Sequence, residues 1–160
     1  MQNAPIEIIP FESRYASDFK RLNLEWLEKY FVVEPVDVEV LSQPQLIIEQ
    51  GGALLLARRG IEIVGTCAVL HEDHGHFEIS KTAVTAESQG QGIGRKLLHA
   101  AIDAFNSFGG KLLYLETNTA LASAIALYES SGFVHAPRPT PSPYLRANVY
   151  MEYRPRSVDD

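Results

Sequence analysis

The chain has 160 residues, of which 46% are hydrophobic and 21% charged, and this length and composition suit one globular domain. They exclude a disordered chain and a coiled coil. The 14 basic and 20 acidic side chains give a formal net charge of −6, which argues against a protein that binds nucleic acid by neutralising phosphates.

The first predicted elements are a short strand and an aromatic helix. Residues 6–9 have the composition of a strand, which Pro10 ends. Large apolar side chains then recur at spacings of three and four residues. Their positions are Tyr15, Phe19, Leu22, Trp26 and Tyr30. This spacing predicts an amphipathic helix with an aromatic stripe.

Prolines and glycines divide the next segment. Pro35 and Pro44 are interpreted as breakers of a loosely ordered stretch, and residues 44–50 as a short helix that two glycines stop. The periodicity then changes from helix to strand. Residues 53–58 and 61–70 are β-rich runs separated by a two-residue turn, which predicts a hairpin.

The middle of the chain predicts a strand, a helix and a second strand. Residues 77–84 alternate between two faces of a sheet. Glu78, Ser80 and Thr82 are expected on one face, and Phe77, Ile79 and Ala83 on the other. An apolar stripe from Ile93 to Phe108 marks a long helix, and residues 111–117 form the second strand. A helical crossover predicts that the two strands are parallel.

The last predicted elements are a helix and two strands. Asn118 or Thr119 is expected to cap a helix over residues 121–128, and a brief strand follows it. Residues 136–143 are dense in proline and predict an extended connection. Strict alternation over residues 145–153 predicts a terminal strand. Together the elements indicate a mixed α+β sheet fold.

Cys67 is the only cysteine, so no intrachain disulfide is expected, and the reducing cytoplasm is the expected compartment. Its apolar neighbours indicate a buried, unreactive thiol. Residues 1–5 carry no basic segment of a signal peptide, and no apolar stretch reaches the ~20 residues that span a bilayer. No linker or repeat divides the chain. We therefore expect a cytoplasmic protein that contacts no membrane and forms one domain over residues 1–160.

The strongest motif is the loop Gln89-Gly90-Gln91-Gly92-Ile93-Gly94, which opens the long helix. Glycines let a backbone approach a ligand closely, and the free amides at a helix N-terminus suit a phosphate or pyrophosphate. The loop differs from a P-loop and is one residue short of G-x-G-x-x-G. Glu116 stands roughly where that fingerprint has a ribose-binding acid, so a nucleotide-binding oxidoreductase domain is an alternative. The hairpin-rich N-terminal half argues against it.

The chain resembles the GNAT superfamily of acyl-CoA-dependent N-acyltransferases. Residues 89–94 match the family's Q/R-x-x-G-x-G/A signature. Asn118, followed by A-x-x-L-Y-x-x-x-G-F over residues 124–133, is similar to its second signature. The order of elements agrees over nearly the whole chain. The resemblance implies a central mixed, largely antiparallel sheet of six to seven strands, flanked by helices, with a splay between its two central parallel strands.

The resemblance also implies an N-acetyltransferase with acetyl-CoA as cosubstrate and a primary amine as acceptor. The residues that it assigns to the coenzyme are Thr82, Ala83, Val84, Gln89, Gly90, Gln91, Gly92, Ile93, Gly94, Arg95 and Asn118. Tyr128 falls where the family has a tyrosine near the departing sulfur. Glu78 stands at the position of a general-base glutamate in one branch of the family.

The chemistry of acetyl transfer suits these two residue types. An alkylammonium with a pKa of ~10.4 must lose a proton before its nitrogen attacks, and a partly desolvated Glu78 can accept that proton. The amide of Ala83 or Val84 can stabilise the developing oxyanion, and Tyr128 can protonate the thiolate. No metal and no covalent enzyme intermediate are required. The competing interpretations are a core aromatic for Tyr128 and a solvated sheet residue for Glu78.

The walls of the acceptor pocket are also implied by the resemblance. The segment after the first strand supplies Trp26, Tyr30 and Glu34, although the two aromatic side chains also fit a core position. The opposite wall is assigned to Tyr144 and Arg146. For Arg146, the sequence leaves open a substrate carboxylate or a surface acid such as Glu152.

The turn with His71, His74 and His76 invites a metal hypothesis, but its hairpin position favours a surface turn, and we predict no metal. The acceptor is expected to be a small-molecule or peptide amine rather than a nucleic acid. A non-catalytic acyl-CoA-binding module is the alternative function. The sequence leaves a homodimer open.

Overall fold

The computed structural model describes residues 4–155 of the protein, and seven strands in this range form one sheet. The strands are β1 (Ile6–Pro10), β2 (Ala53–Arg59), β3 (Glu62–His71), β4 (His76–Val84), β5 (Leu112–Thr117), β6 (Phe133–His135) and β7 (Val149–Tyr153). Their order is β1-β2-β3-β4-β5-β7-β6. Only β4 and β5 are parallel neighbours. The predicted mixed, largely antiparallel sheet is therefore confirmed.

The α-helices cover both faces of this sheet. They are α1 (Ala16–Tyr30), α2 (Pro35–Ser42), α3 (Pro44–Glu49), α4 (Ile93–Ser107) and α5 (Ala122–Ser130). Helix α4 buries Leu97, Ala101 and Phe105 in one core cluster, and α1 buries Phe19 and Leu22 in a second cluster. In residues 4–155, no helix combines the length and apolarity needed to cross a bilayer.

The two parallel strands diverge at their carboxyl ends. Their pairing runs from His76 with Leu112 to Ile79 with Leu115. Strand β4 continues to Val84, yet no residue after Ile79 pairs with β5. This divergence confirms the predicted splay and leaves one backbone edge of β4 open toward the gap.

A bulge in β4 changes which side chains share a face of the sheet. Strand β3 pairs Thr66 with Ala83 and Ala68 with Ser80, so β4 carries one extra residue between these pairs. Lys81 in this interval has a left-handed φ of 51°. A bulge shifts the alternation of the strand by one position.

The predicted grouping of Thr82 with Glu78 is therefore wrong. The Thr82 hydroxyl donates to Cys67 Sγ at 3.4 Å, and Cys67 belongs to the α4-side core cluster together with Phe77 and Ile79. Thr82 thus lies on the face of the sheet that alternation alone assigns to Phe77 and Ile79.

The segment predicted as loosely ordered contains a regular helix. Pro35 is the first residue of α2. The amide at that position has no partner within a helix, so a proline there costs the helix no hydrogen bond. Glu34 and Asp37 form a capping box, and the Glu34 amide donates to Asp37 Oδ2 at 2.8 Å. The proline therefore starts a helix instead of breaking one.

Two further predictions at the C-terminal side are wrong. Neither Asn118 nor Thr119 caps α5, whose N-cap is Leu121; the Asn118 carboxamide instead accepts from the Ala120 amide at 2.8 Å. The last strand begins at Val149, and residues 145–148 form part of a loop. The side chain of Leu145 is 95% exposed, so the alternation around it does not reflect a strand.

Candidate active site

A cavity of ≈670 Å³ occupies the splay between β4 and β5. Its walls come from α1, β4, the loop before α4, β5, α5 and the loop before β7. The predicted site residues on these walls are Trp26, Tyr30, Glu78, Thr82, Ala83, Val84, Gln89, Gly90, Gly92, Ile93, Gly94, Asn118, Tyr128, Tyr144 and Arg146. Glu34, Gln91 and Arg95 are outside this set. The fold therefore brings the residues predicted for the coenzyme and those predicted for the acceptor to one cavity.

The loop before α4 forms one end of the cavity. Gly90 and Gly92 have φ values of 78° and 80°, and a Cβ added at either would meet no atom within 4 Å. Gly92 is the N-cap of α4, so amides in the first helical turn have no partner within the helix. Open space beside free amides and a positive helix end fits a pyrophosphate.

Side chains behind this loop fix its shape. Gln89 Nε2 donates to the carbonyl of Val84 at 3.2 Å. The Gln91 carboxamide is bonded to Arg59, which also donates to Ser88 Oγ at 3.0 Å. Gln91 thus points away from the cavity, and Arg95 is exposed. The contribution of Arg59 was missed because nothing in the sequence of β2 indicates a contact with the distant glycine loop.

Glu78 is a partly buried carboxyl group on the cavity wall. Burial, reinforced by Glu116 and Glu72, raises the pKa of Glu78 to about 8. Glu116 at the end of β5 also lines the cavity, where it accepts from Ser142 and lies 3.6 Å from Arg138. The sequence indicates Glu116 only as a ribose ligand; its place at the end of β5, the parallel neighbour of β4, is the signal for a second carboxylate at the site.

Tyr128 lines the cavity from α5, and its ring packs edge-on against Phe133 at 6.0 Å between centroids. Burial and the nearby Cys67 raise the pKa of the Tyr128 hydroxyl above its ordinary value of 10. The hydroxyl is protonated at neutral pH with or without this shift, so it can donate a hydrogen bond to a nearby thiolate.

Cys67 is a buried structural thiol. Its side chain is fully buried, and burial raises its pKa to about 11 even though Thr82 donates to its sulfur. A thiol nucleophile reacts as the thiolate. The prediction of an unreactive cysteine is thus supported.

At the other end of the cavity, Lys81 and Arg146 share one buried carboxylate. Lys81 Nζ donates to Asp37 Oδ1 at 2.6 Å and to the Tyr144 hydroxyl at 3.1 Å. Arg146 donates to both oxygens of Asp37, at 2.6 and 2.7 Å, and to Glu34 Oε2 at 3.2 Å. We call Glu34, Asp37, Lys81 and Arg146 the buried charge cluster.

The buried charge cluster attaches the loop before β7 to α2. The partners of Arg146 are Glu34 and Asp37, and the predicted alternative Glu152 is instead paired with Arg154 at 2.6 Å. Glu34 accepts from the Leu145 amide at 2.9 Å. Glu34 therefore supports the wall of the cavity from behind, and the prediction that it faces substrate is not what the structure shows.

Electrostatics of the cluster follow from burial and pairing. Burial alone would raise the pKa of Asp37, but hydrogen bonds from Arg146 and Lys81 lower it to about 2. Burial lowers the pKa of Lys81 even though Asp37 opposes the change. The ring centroid of Tyr144 lies 4.7 Å from Lys81 Nζ and 4.5 Å from the Arg146 guanidinium carbon.

Asn118 connects the two halves of the site. Its Nδ2 donates to the carbonyl of Arg146 at 2.6 Å, and its side chain lines the cavity.

Among residues 4–155, no three His, Cys, Asp or Glu side chains form a group that could bind a metal. In the turn with three histidines, His71 contacts the carbonyl of Gln50 at 2.8 Å.

Comparison with known proteins gives a consistent result. The model of the acetyltransferase (GNAT) family matches residues 19–133. The chain is 30% identical over 134 residues to an IAA acetyltransferase of Azospirillum brasilense, covering 83% of this chain and 78% of that one. A shorter match, 48% identical over 54 residues, is to the [ribosomal protein bS18]-alanine N-acetyltransferase of Escherichia coli K12; it covers 34% of this chain and 36% of that one.

Solved structures share the whole fold. A GNAT-family acetyltransferase of Staphylococcus aureus Mu50 superposes with a TM-score of 0.85 at 22% identity, covering 92% of this chain and 98% of that one. The yncA protein of Salmonella typhimurium, solved with its cofactor acetyl-CoA, gives a TM-score of 0.74 at 18% identity, with 96% of each chain covered.

Proposed function

The chain belongs to the GNAT family of acetyltransferases, and on this premise we propose that its cavity holds acetyl-CoA and a primary amine together, so that the amine attacks the thioester directly. The chain is an N-acetyltransferase that uses acetyl-CoA. The observation that carries the proposal is Glu78, a cavity-lining carboxyl group with a pKa of about 8 on the splayed strand.

Acetyl-CoA supplies an activated acetyl thioester. We assign its pyrophosphate to the amides of residues 89–95, because the glycine loop offers open space and the free amides of a helix start. Its pantetheine arm is assigned to the edge of Thr82, Ala83 and Val84, which no residue of β5 pairs. Asn118 is a further contact candidate because it lines the same cavity.

Glu78 is the proposed general base. A carboxylate whose pKa is about 8 accepts a proton from an ammonium far better than one of ordinary acidity, because the proton-transfer driving force is larger. Its anionic form, which the reaction needs, becomes the major form above pH 8. Glu116 lies close enough to raise the pKa of Glu78, and it gives the amine a second carboxylate.

Two groups are assigned to the remaining charges of the reaction. The amide of Ala83 or Val84 is the proposed donor to the carbonyl oxygen, where negative charge develops. Tyr128 is the proposed group that donates a hydrogen bond, and then its proton, to the departing sulfur. Each assignment uses a group that lines the cavity.

The acceptor is proposed to be a primary amine of a small molecule or a peptide, held between Trp26, Tyr30 and the Tyr144 wall. Exposed apolar side chains lie beside lining residues on both walls, with Val32 79% and Leu145 95% exposed. Such a rim can contact the apolar part of an acceptor.

We further propose one domain over residues 1–160, which the single continuous sheet of residues 4–155 supports.

Initial-velocity kinetics tests direct attack. Acetyl-CoA and amine are varied together over a panel of small amines and N-terminal peptides, with thiol release as the readout. Intersecting lines and no acetylated protein after incubation with acetyl-CoA alone are expected. Parallel lines with an acetylated protein would overturn direct attack.

Tyr128→Phe should lower kcat about tenfold with little change in the KM for acetyl-CoA; an unchanged kcat removes Tyr128 from the chemistry.

A further inference from the structure

Arg59, the last residue of β2, is buried against the glycine loop. It is 8% exposed. One guanidinium nitrogen donates to Ser88 Oγ at 3.0 Å, and the other donates to the carboxamide oxygen of Gln91. Its Nε is buried and has no hydrogen-bond partner among residues 4–155. All of its described side-chain hydrogen bonds therefore go to the segment between β4 and α4.

Arg59 also lacks a carboxylate partner within the described part of the chain. None of the ion pairs of residues 4–155 includes Arg59, whereas its neighbour Arg58 pairs with Glu7 at 2.9 Å. A guanidinium keeps its charge in proteins, and a buried charge without a counter-ion is costly. An anion that binds the fold near Arg59 would remove part of this cost.

The hydrogen-bond partners of Arg59 show where such an anion would act. Ser88 is 3% exposed and lines the cavity. Gln91 stands between Gly90 and Gly92, whose left-handed φ values give the loop the shape assigned to pyrophosphate binding. Fixing the Gln91 side chain from behind therefore restricts both glycines to the conformation that presents their backbone to the cavity.

We propose that Arg59 is a positioning residue that fixes the glycine loop in its anion-binding shape and supplies the buried positive charge that the coenzyme pyrophosphate neutralises. It acts through Ser88 and Gln91, since its own side chain is outside the cavity lining. The inference rests on the proposed placement of the pyrophosphate at residues 89–95. It assigns a coenzyme role to a residue outside both family signatures.

The test compares two ligands that differ in the pyrophosphate. Calorimetry gives the dissociation constants of CoA and of pantetheine, which lacks the pyrophosphate and the nucleotide. Arg59→Met is expected to raise the dissociation constant of CoA about tenfold and to change that of pantetheine less than twofold. Arg59→Lys should recover part of the CoA affinity because it keeps the charge. Arg58→Met is the matched control, because that arginine pairs at the surface with Glu7, and it should leave both constants unchanged.

Catalysis supplies a second readout. Arg59→Met should raise the KM for acetyl-CoA with kcat within twofold, and should leave kcat/KM for acetyl-pantetheine unchanged. Equal losses on both ligands, or an unchanged CoA affinity in a folded variant, would overturn the role of Arg59. If Arg59→Met does not fold, Gln91→Met removes one of its partners and must show the same selective loss.

The binding design separates this inference from the proposed site. If the wild-type protein binds CoA no better than pantetheine, the placement of the pyrophosphate fails, and the role of Arg59 fails with it. If the wild type prefers CoA and Arg59→Met keeps that preference in full, only the role of Arg59 fails.

Discussion

The coenzyme end and the acceptor end of the cavity are built in different ways. The coenzyme end consists mainly of one continuous stretch, residues 82–94, which presents backbone amides and glycines. The acceptor end combines α1, the β4 bulge and the loop before β7. Charged side chains connect the bulge and the loop to α2, which supports them from behind. Backbone recognition depends on local conformation, whereas the charge cluster depends on distant residues that neutralise each other.

This difference predicts different modes of failure. A side-chain change at the coenzyme end is tolerated unless it alters a left-handed glycine or its support. At the acceptor end, the loss of one charge leaves its partners buried and uncompensated, and this costs folding free energy. The following substitutions test the contrast, in order of decreasing expected effect.

Asp37→Ala is expected to cost the most, because Asp37 is fully buried and accepts hydrogen bonds from both Lys81 and Arg146. Breaking a buried pair by removing one partner costs about 3–5 kcal/mol. The free energy of unfolding is measured with urea at pH 7. Asp18→Ala, which breaks a surface pair with Arg21, is the control and should cost less than about 1 kcal/mol. A similar small cost at Asp37 would contradict the contrast between the two ends.

Glu78→Gln is expected to lower kcat/KM about 100-fold, which is at the lower end of the effect of a general base. Because the pKa of Glu78 is about 8, the wild-type rate should rise with pH up to about 8 and then level off. In the variant, the rate should keep rising as the amine itself deprotonates, toward a pKa of ~10.4 for an alkylammonium. The pH profile of kcat/KM is the measurement. An inflection near pH 8 that persists in the variant would assign it to another group, with Glu116 as the next candidate.

The same substitution has a stability consequence of defined sign. The pKa of Glu78 in the folded protein, about 8, is above its ordinary value of 4.5, so the folded state binds this proton more tightly than the unfolded state does. Its contribution to stability is therefore complete below pH 4.5 and is lost as pH rises toward 8. The melting temperature of Glu78→Gln relative to wild type should increase between pH 5 and pH 9.

Gly92→Val is expected to have the smallest effect, a loss of CoA affinity of about tenfold, because a left-handed φ costs an L-residue about 1–2 kcal/mol. Gly109, at φ 67° beyond the end of α4, is the matched control because it is away from the cavity. Gly109→Val should destabilise the fold similarly and leave the dissociation constant of CoA unchanged. Equal CoA affinity in both variants would argue against a pyrophosphate at the loop.

The coenzyme end could be predicted from the sequence because its residues are contiguous. A strand, a glycine loop and a helix stripe follow one another, and each has a local signal. The hairpin and the parallel strand pair were predictable for the same reason. The splay was implied by family resemblance, and the pairing that stops at Ile79 confirms it.

The acceptor end could not be predicted in the same way. The bulge at Lys81 inserts one residue and reverses the alternation that places Thr82, and no residue type in the sequence announces it. Arg146 is 109 residues from Asp37, so the local sequence gives no indication of this pair. A proline such as Pro35 can either break a helix or begin one, so its presence alone does not predict α2. The capping box of Glu34 and Asp37 does mark a helix start, but Glu34 stands where serine or threonine is the usual cap.

The long separation between Asp37 and Arg146 has a consequence for the order of folding. During synthesis, Asp37 and Lys81 leave the ribosome well before Arg146, so Asp37 meets its second cation only after most of the sheet has been made. Contacts of such high sequence separation form late because closing the intervening chain costs entropy. The acceptor wall, which depends on this contact, is thus expected to form later than the contiguous coenzyme loop.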